Sequence, residues 1–321
     1  RSTLFPYTTL FRSSTDVPGA RPSRADVAKL SSNEMPFPPQ DSVVEAMTRA
    51  AAGANRYPEM TGETLTRTLA RRWGVEAEQV VVGNGSVALI QHLLDAVCQP
   101  GDEVVIPWRS FEAYPICVAV AGARPVPVAL SADARQDVDA LVRAVTARTR
   151  LLIVCTPNNP TSTILTAEEL TDLLGRVPED VVVMVDEAYL DFVTDPRAGT
   201  ATALLAEHPN LVVSRTFSKA HALAGLRVGY LLGDGVLMGA VRSVATPFGV
   251  NLPAQAAALA ALEPQALAET AHRARLVTDE RERVVARLRQ DGWDVPEAQG
   301  NFYWLDRKST RLNSSHSTES R

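Results

Sequence analysis

Short β-rich runs alternate with helical patterns through most of the chain, and this alternation limits the fold more than any other feature. The runs that predict strands cover residues 80–82, 103–106, 124–128, 151–155, 181–185, 211–213 and 228–232. Helical patterns separate them at 86–98, 110–121, 137–144, 166–174 and 202–207, and a long helical region extends from 253 to about 290. Strands that alternate with helices indicate an α/β protein. We therefore predict a large domain in which helices flank a mainly parallel seven-stranded sheet.

The composition excludes several classes of function. The chain has 321 residues, of which 45% are hydrophobic and 21% charged, and this supplies enough apolar surface for a sizeable core. Its formal net charge of −5 offers no positive field for polyanions, so nucleic acids and anionic membranes are not expected as partners. No apolar run has the length that a bilayer requires. We expect a cytoplasmic protein that acts on small molecules.

Two residue types are rare enough to be informative. Cys98, Cys117 and Cys155 are too few and too scattered for a disulfide framework or a metal site, and each lies in an apolar stretch typical of a buried free thiol. We accordingly expect no metal. Lysine occurs only at positions 29, 219 and 308, so chemistry that needs a lysine amine has three candidate positions.

The two ends differ from the middle of the chain. Residues 1–15 and 307–321 are rich in Ser, Thr and Arg, show no apolar period, and contain the strings LFPYTTLFRS and KSTRLNSSH, which resemble translated sequencing adapters. We predict that both are non-native tails. Between them we expect an N-terminal arm with part of a small domain at 16–50, a large domain at 51–250, and a connecting helix with an incomplete small α+β domain at 251–306.

Four motifs follow predicted strands, where ligands of open α/β sheets bind. The first, GNGS at 83–86, precedes a predicted helix. Its free N–H groups and the helix terminus suit a phosphate, although a tight turn would use the same residues. The second, PNNPT at 157–161, presents two carboxamides from a loop whose path two prolines fix. A plain turn is equally compatible with that string.

The other two motifs contain the charged candidates. DEAY at 186–189 follows the apolar run 181–185, and a carboxylate directly after such a run needs a cation or a donor, so Asp186 is a candidate functional residue. Helix capping is the alternative. SRTFSK at 214–219 ends in a lysine flanked by hydroxyls, and Arg227 follows. This arrangement supplies a nucleophilic amine and a cationic anion clamp, whereas a lysine taken alone is more often simply exposed.

Together the motifs resemble the fold-type I pyridoxal-phosphate aminotransferases, and most closely their histidinol-phosphate and aromatic amino acid aminotransferase group. The strings that carry the resemblance are SSNEMPFPP (31–39), NRYPEM (55–60), VVGNGS (81–86), WRSFEAYP (108–115), PNNPTST (157–163), DEAYLDF (186–192), RTFSKAHALAGLRVGY (215–230) and GNFYWL (300–305). They cover almost all of the chain between the tails. The resemblance implies the fold of that family, pyridoxal 5'-phosphate as cofactor, and residues 51–250 as the cofactor-binding domain.

The resemblance also implies catalytic roles. Lys219 would hold the cofactor as a Schiff base and move the proton between the substrate Cα and the cofactor C4′. Asp186 would pair with the pyridine nitrogen and keep it protonated. Tyr189 and Asn159 would donate to the ring hydroxyl oxygen, and Phe111 would stack on the ring face.

The phosphate and the subunit interface complete the implied site. The phosphate would be bound by the backbone amides of Gly85, Ser86 and Val87, by the hydroxyls of Thr216 and Ser218, and by the guanidinium of Arg227. Tyr57 would reach the site from a neighbouring subunit, so the resemblance implies a homodimer with a shared active site.

The implied activity is transfer of an amino group from an aromatic amino acid, such as phenylalanine, to 2-oxoglutarate. WRSFEAYP and PNNPTST are more like the aromatic enzymes of actinobacteria than the histidinol-phosphate enzymes, which more often read PTYxxY and PNNPTG. Histidinol-phosphate transamination in histidine biosynthesis is an alternative, as is decarboxylation of a phosphorylated amino acid. An inactive fragment or a ligand-sensing aminotransferase-like module is disfavoured because Lys219, Asp186 and Arg227 are all present. A dinucleotide site is disfavoured because 83–86 lacks the three-glycine spacing.

The chain departs from the family pattern at several positions. Met35 and Pro38 replace a polar residue and a glycine near the substrate mouth. Ala222 replaces a glycine on the lysine loop, where a positive φ would be strained, and its neighbour His221 is either an acid or base or a simple variation on that loop. The resemblance places the arginine that binds the substrate carboxylate beyond Asp306. We therefore expect severely weakened substrate binding and turnover, with poor cofactor binding or none, in the chain as written, and an active longer parent.

Overall fold

The computed structural model describes residues 32–305, and the tails predicted at 1–15 and 307–321 lie outside this range. The described residues from Glu34 onward belong to one compact unit. Their helices are α1 (Asp41–Ala51), α2 (Glu63–Trp73), α3 (Gly85–Val97), α4 (Ala113–Val120), α5 (Val138–Arg143), α6 (Ala167–Arg176), α7 (Gly235–Val244), α8 (Leu252–Ala261) and α9 (Pro264–Gln290). Their strands are β1 (Val80–Gly83), β2 (Glu103–Trp108), β3 (Arg124–Ala129), β4 (Thr149–Cys155), β5 (Val182–Asp186), β6 (Leu211–Thr216) and β7 (Gly229–Gly233).

The seven strands form one sheet, in the order β1-β7-β6-β5-β4-β2-β3. The neighbouring strands from β6 to β3 are parallel. Strand β7 runs antiparallel to both of its neighbours, β1 and β6. The sheet is therefore mixed, with a single reversed strand, and the prediction of an α/β fold with a mainly parallel seven-stranded sheet is confirmed.

Two helical predictions are wrong in detail. The pattern at 202–207 forms only a short 3-10 helix, Ala201–Leu204, because Pro209 disfavours helical backbone at the residue before it. The region 253–290 divides into α8 and α9 at Glu263, whose extended backbone (φ −63°, ψ 145°) precedes Pro264. Helices α1, α2 and α7 have no counterpart among the predicted elements. Within residues 32–305, none of the helices has both the length and the apolar character that crossing a membrane would need.

Side chains that alternate along the central strands supply cores on both faces of the sheet. In β4, Leu152 and Val154 pack into one buried cluster with side chains of β5, β6, α6 and α8. Leu151, Ile153 and Cys155 pack into another with α3 and α4. Because both faces are covered, the central strands are nearly continuous apolar runs. The predicted core thiols are confirmed for Cys117 and Cys155, whereas Cys98 is half-buried.

Strand register brings the candidate motifs to one edge of the sheet. Asp186 at the end of β5 pairs with Cys155 at the end of β4. At the same edge, β7 begins at Gly229, which pairs with both Gly83 of β1 and Thr216 of β6. The loops after β1, β4, β5 and β6 therefore converge where ligands of such sheets bind.

Candidate active site

Asp186 ends β5 as a buried carboxylate, with 3% of its surface exposed. The hydroxyl of Tyr114 on α4 donates a hydrogen bond to its Oδ2 at 2.8 Å, and the N–H of Ala188 donates to its Oδ1 at 3.2 Å. Burial raises the pKa of this carboxyl to about 6, and the two hydrogen bonds oppose that shift. A nearby cation stabilises a buried carboxylate, so the site favours a ligand that carries a positive charge.

Lys219 lies in the loop after β6, with its Nζ 5.3 Å from the centroid of the Tyr189 ring. Burial lowers the pKa of its amine to about 8, while Glu34 and Asp186 oppose this shift and Arg227 adds to it. About half of the amines are therefore unprotonated near pH 8, and the unprotonated amine is the nucleophile.

The turn that carries Lys219 contains a strained residue. The N–H of Ala222 donates to the carbonyl of Lys219 at 2.9 Å, and the N–H of Leu223 donates to that of Phe217 at 3.1 Å. Ala222 adopts φ +60°, which costs a residue with a Cβ about 1–2 kcal/mol. Ala222 therefore adopts the left-handed backbone conformation that a glycine would adopt without strain.

His221, beside that turn, is half-buried. Its ring lies against Phe217, with centroids 4.9 Å apart, and its Nδ1 is buried without a hydrogen-bond partner. Burial lowers the pKa of the imidazole to about 4, so the ring is neutral near pH 7. These contacts favour simple variation on the loop over a role as acid or base.

A cluster of hydrogen-bond donors lies where β1, β6 and β7 meet α3. Gly85 adopts φ +81°, and a Cβ placed there would lie 2.5 Å from Nη2 of Arg227. Arg227 donates through Nη1 to Ser218 Oγ at 3.3 Å, and the Thr216 hydroxyl donates to the same oxygen at 2.9 Å. Asn84, at the start of α3, makes no side-chain capping bond. Helix amides, hydroxyls and a guanidinium thus come together in the combination that binds anions.

The loop after β4 is held by Asn158, the neighbour of the predicted Asn159. Asn158 is fully buried, and its Oδ1 accepts a hydrogen bond from Ser110 Oγ at 2.7 Å. Its Nδ2 donates to the carbonyl of Arg109 at 3.0 Å and to Thr161 Oγ1 at 2.8 Å. Asn159 follows directly and is half-buried. The buried carboxamide therefore fixes the backbone from which Asn159 extends.

Tyr189 belongs to an apolar cluster beside the lysine loop. Its side chain is 4% exposed and meets the ring of Phe302 edge-on, with centroids 4.9 Å apart. Ala220 and Met35 pack into the same cluster. The polar residue that the family pattern has at position 35 is thus replaced by a side chain that adds to an apolar wall.

Phe111 contacts the site through a residue that the sequence analysis misses. Its ring meets the ring of Tyr114 edge-on at a centroid distance of 5.5 Å, and Tyr114 bonds to Asp186. Burial raises the pKa of the Tyr114 hydroxyl well above its usual value, so this group remains a donor. The only sequence signal for Tyr114 is its place three residues after Phe111 in WRSFEAYP.

A buried ion pair next to Asp186 in sequence is also missed. Arg215 of β6 donates through Nη1 to Glu187 Oε2 at 3.0 Å, and the two side chains are at most 9% exposed. Glu187 accepts further hydrogen bonds from the Thr200 hydroxyl at 2.9 Å and from the Ala201 N–H at 2.6 Å. Removing one partner of such a pair costs about 3–5 kcal/mol. The pair therefore fixes β6, which leads to the lysine loop, against the segment that follows β5.

The predicted site residues divide into two groups. Asp186 is hydrogen-bonded to Tyr114, Lys219 lies beside the ring of Tyr189, and electrostatic interactions link Lys219 with Asp186 and Arg227. Tyr57 differs, because its side chain is 83% exposed and its ring packs against that of Phe248 with centroids 4.8 Å apart. The single chain therefore buries the predicted catalytic carboxylate and half-buries the lysine, but leaves Tyr57 at the surface.

The mixed seven-stranded sheet, with a lysine loop and a strand-end carboxylate at one edge, defines the fold of the fold-type I pyridoxal-phosphate transferases. The model of the family described as aminotransferase class I and II matches residues 25–317. The chain belongs to this family and is an aminotransferase, which confirms the predicted family and enzyme class.

Relatives and solved structures agree with this assignment. An aromatic amino acid aminotransferase of Thermobifida fusca is 50% identical over 295 residues, which cover 90% of this chain and 81% of the relative. One of Cutibacterium acnes is 49% identical over 280 residues, covering 87% and 79%. The structure of histidinol-phosphate aminotransferase from Sinorhizobium meliloti in complex with pyridoxal-5'-phosphate is similar with a TM-score of 0.79 and 28% identity, covering 85% of this chain and 73% of that chain.

Proposed function

We propose that this chain uses pyridoxal 5'-phosphate to transfer the amino group of an aromatic amino acid to 2-oxoglutarate. The proposal rests on the half-buried amine of Lys219, whose pKa is lowered to about 8 and which interacts electrostatically with Asp186, a buried carboxylate. The cofactor's aldehyde reacts with an amine that is unprotonated, and a carboxylate stabilises the protonated nitrogen of the cofactor ring. Lys219 and Asp186 thus supply the two groups that the aldehyde and the ring nitrogen of the cofactor require.

The chemistry of the surrounding donors supports the same cofactor. The anion site suits a phosphate, and a Cβ at Gly85 would fill it, since that atom would lie 2.5 Å from Arg227. Phe111 offers an apolar face to a flat ring, while Tyr189 and Asn159 offer donors to a ring hydroxyl oxygen. All of these residues lie within 51–250, the proposed cofactor-binding domain.

In the proposed reaction each residue handles a charge or a proton. The bound cofactor supplies a sink for the electrons of the substrate Cα–H bond. Lys219 would accept and return the proton at the substrate Cα, which its unprotonated form near pH 8 allows. Asp186, ionised above a pKa of about 6, would hold a proton on the ring nitrogen.

The aromatic substrate is supported by two observations. The relatives from Thermobifida fusca and Cutibacterium acnes, at 50% and 49% identity, carry the name aromatic amino acid aminotransferase. In this chain, Met35 and Phe302 pack with Tyr189 in one apolar cluster near Lys219, and an apolar wall stabilises an aromatic side chain by burial. Histidinol phosphate is the second candidate, because the similar Sinorhizobium meliloti structure is a histidinol-phosphate aminotransferase.

We further propose that two copies of the chain form a homodimer in which Tyr57 completes the site of the other copy. Tyr57, Met60 and Phe248 are large and apolar, yet 83%, 52% and 40% exposed. The N–H of Phe248 donates to the carbonyl of Met60 at 3.0 Å, so these side chains belong to one surface. Exposed apolar surface of this kind is typical of protein interfaces.

The test of substrate and reaction type is spectroscopic. A version of the chain extended past Asp306, where the resemblance places the arginine for the substrate carboxylate, is saturated with pyridoxal 5'-phosphate and mixed with phenylalanine or with histidinol phosphate while the cofactor absorption band is followed. We expect the band to bleach with phenylalanine, and glutamate to form only when 2-oxoglutarate is present. Bleaching with histidinol phosphate alone would move the assignment to the second candidate. Release of carbon dioxide without any need for 2-oxoglutarate would indicate a decarboxylase instead.

A further inference from the structure

The hydroxyl of Ser162 lies at a crossing of two segments of the site. Ser162 is fully buried in the loop that carries Asn159. Its Oγ donates to the carbonyl of Phe302 at 2.8 Å, and the same Oγ accepts from the N–H groups of Gln299 at 3.0 Å and Gly300 at 2.7 Å. One hydroxyl thus makes three hydrogen bonds to segment 299–302.

Ser162 occupies a position where the histidinol-phosphate enzymes, with their PNNPTG string, more often have glycine. Its φ is +65°, a backbone conformation that disfavours residues with a Cβ. The three hydrogen bonds of the Ser162 hydroxyl offset the cost of this strained backbone. The side chain therefore has a function at this position that glycine cannot supply.

Segment 299–302 is also tied to the loop that follows Tyr189. Arg281 on α9 is buried, and its Nη1 donates to the carbonyls of Phe192 and Gly300, both at 2.9 Å. The Gln299 side chain accepts from the N–H of Thr194 at 2.8 Å. Packing is tight, because a Cβ on Gly300 would lie 2.8 Å from the Phe302 ring and 3.1 Å from Ser162 Oγ. The segment has little room to shift unless these bonds break.

A short series of contacts leads from Ser162 to the reacting amine. Ser162 holds the carbonyl of Phe302, whose ring packs edge-on against Tyr189 at 4.9 Å. The Tyr189 ring centroid lies 5.3 Å from the Nζ of Lys219. Phe302 is therefore one side chain removed from the amine, and its position depends on the segment that Ser162 holds.

We propose that Ser162 is a positioning residue, which tethers segment 299–302 so that Phe302 forms a fixed wall of the substrate site. This inference rests on the proposed function, because it concerns how the amino acid is bound there. Loss of the tether loosens the wall and weakens substrate binding, while Lys219 and Asp186 keep their own contacts. The change therefore acts on KM more than on kcat.

The test compares Ser162→Ala with Ser162→Gly. Both variants lose the hydroxyl, but only glycine also relieves the strain at φ +65°, so a shared defect is due to the hydroxyl. Hydrogen exchange of the Gly300 amide, measured without any amino acid, is expected to be about tenfold faster in both. KM, measured with whichever of phenylalanine or histidinol phosphate reacts, is expected to rise about three- to tenfold, with kcat changed less than about twofold.

Thr171→Val is the control. It also removes a hydroxyl, but one that donates to the carbonyl of Ala167 at 2.9 Å within α6, away from segment 299–302. This variant should leave both Gly300 exchange and KM as in the parent. Unchanged exchange in the two Ser162 variants would refute the tether, and faster exchange with unchanged KM would refute the positioning role. Parent protein that turns over neither donor would instead refute the proposed function, which the exchange measurement does not depend on.

Discussion

Replacing Lys219 by alanine is expected to lower the transamination rate about 10³-fold or more. The variant loses the amine that holds the cofactor and, with it, the base that moves the Cα proton. The turn itself should survive, because its hydrogen bonds from Ala222 and Leu223 are made between backbone atoms. The measurement is the initial rate of 2-oxo acid formation at saturating cofactor, with circular dichroism to verify the fold.

Lys308→Ala is the control for that experiment, since it also removes one of the three lysines of the chain. Its rate should equal that of the parent. A Lys219→Ala protein that is folded and keeps more than about a tenth of the parent rate would show that this amine is not the catalytic base.

Replacing Asp186 is expected to have the second largest effect, a loss of about 10²- to 10³-fold in kcat. Asp186→Asn is the sharper variant, because the carboxamide keeps the shape of the side chain and can still accept the hydrogen bond of Tyr114. It removes the charge that would balance a protonated ring nitrogen, together with the acceptor of the longer hydrogen bond from the Ala188 N–H. Steady-state rates are measured beside Asp172→Asn, which removes the charge of an exposed carboxylate that pairs with Arg176 on α6.

Tyr114→Phe gives a graded version of the same experiment. The Tyr114 hydrogen bond lowers the pKa of Asp186, so its loss raises that pKa above about 6. A smaller fraction of the carboxyl is then ionised at a given acidic pH, and the acid limb of the rate profile moves to higher pH. Full activity of Asp186→Asn, or an acid limb that Tyr114→Phe leaves in place, would argue against a catalytic charge at position 186.

The sheet and the residues at its edge are predictable because the signals for them are local. Each of the seven strands shows as a short apolar run in the sequence, and Asp186 stands out as a carboxylate that directly follows one. Lys219 stands out because lysine is so rare in this chain. At Ala222 the sequence raises only the question whether the turn needs a positive φ, and the residue adopts one, φ +60°.

The interactions that support the site are not predictable in the same way, because they join residues far apart in sequence. Tyr114 is 72 positions from Asp186, and the Ser162 hydroxyl bonds to Phe302 across 140 positions. Neither residue type is unusual where it occurs. The break between α8 and α9, in contrast, has a local cause in Pro264, and a stricter use of the rule for the residue before proline predicts it.

Reductive trapping shows whether the Lys219 amine binds the aldehyde of pyridoxal 5'-phosphate. The chain, extended past Asp306, is incubated with the cofactor, treated with sodium borohydride, digested and examined by mass spectrometry, beside a Lys29→Ala/Lys308→Ala variant that keeps Lys219 alone. We expect one stoichiometric reduced adduct, on the peptide that contains Lys219, in both proteins. An adduct confined to Lys29 or Lys308, or no adduct at saturating cofactor, would contradict this expectation.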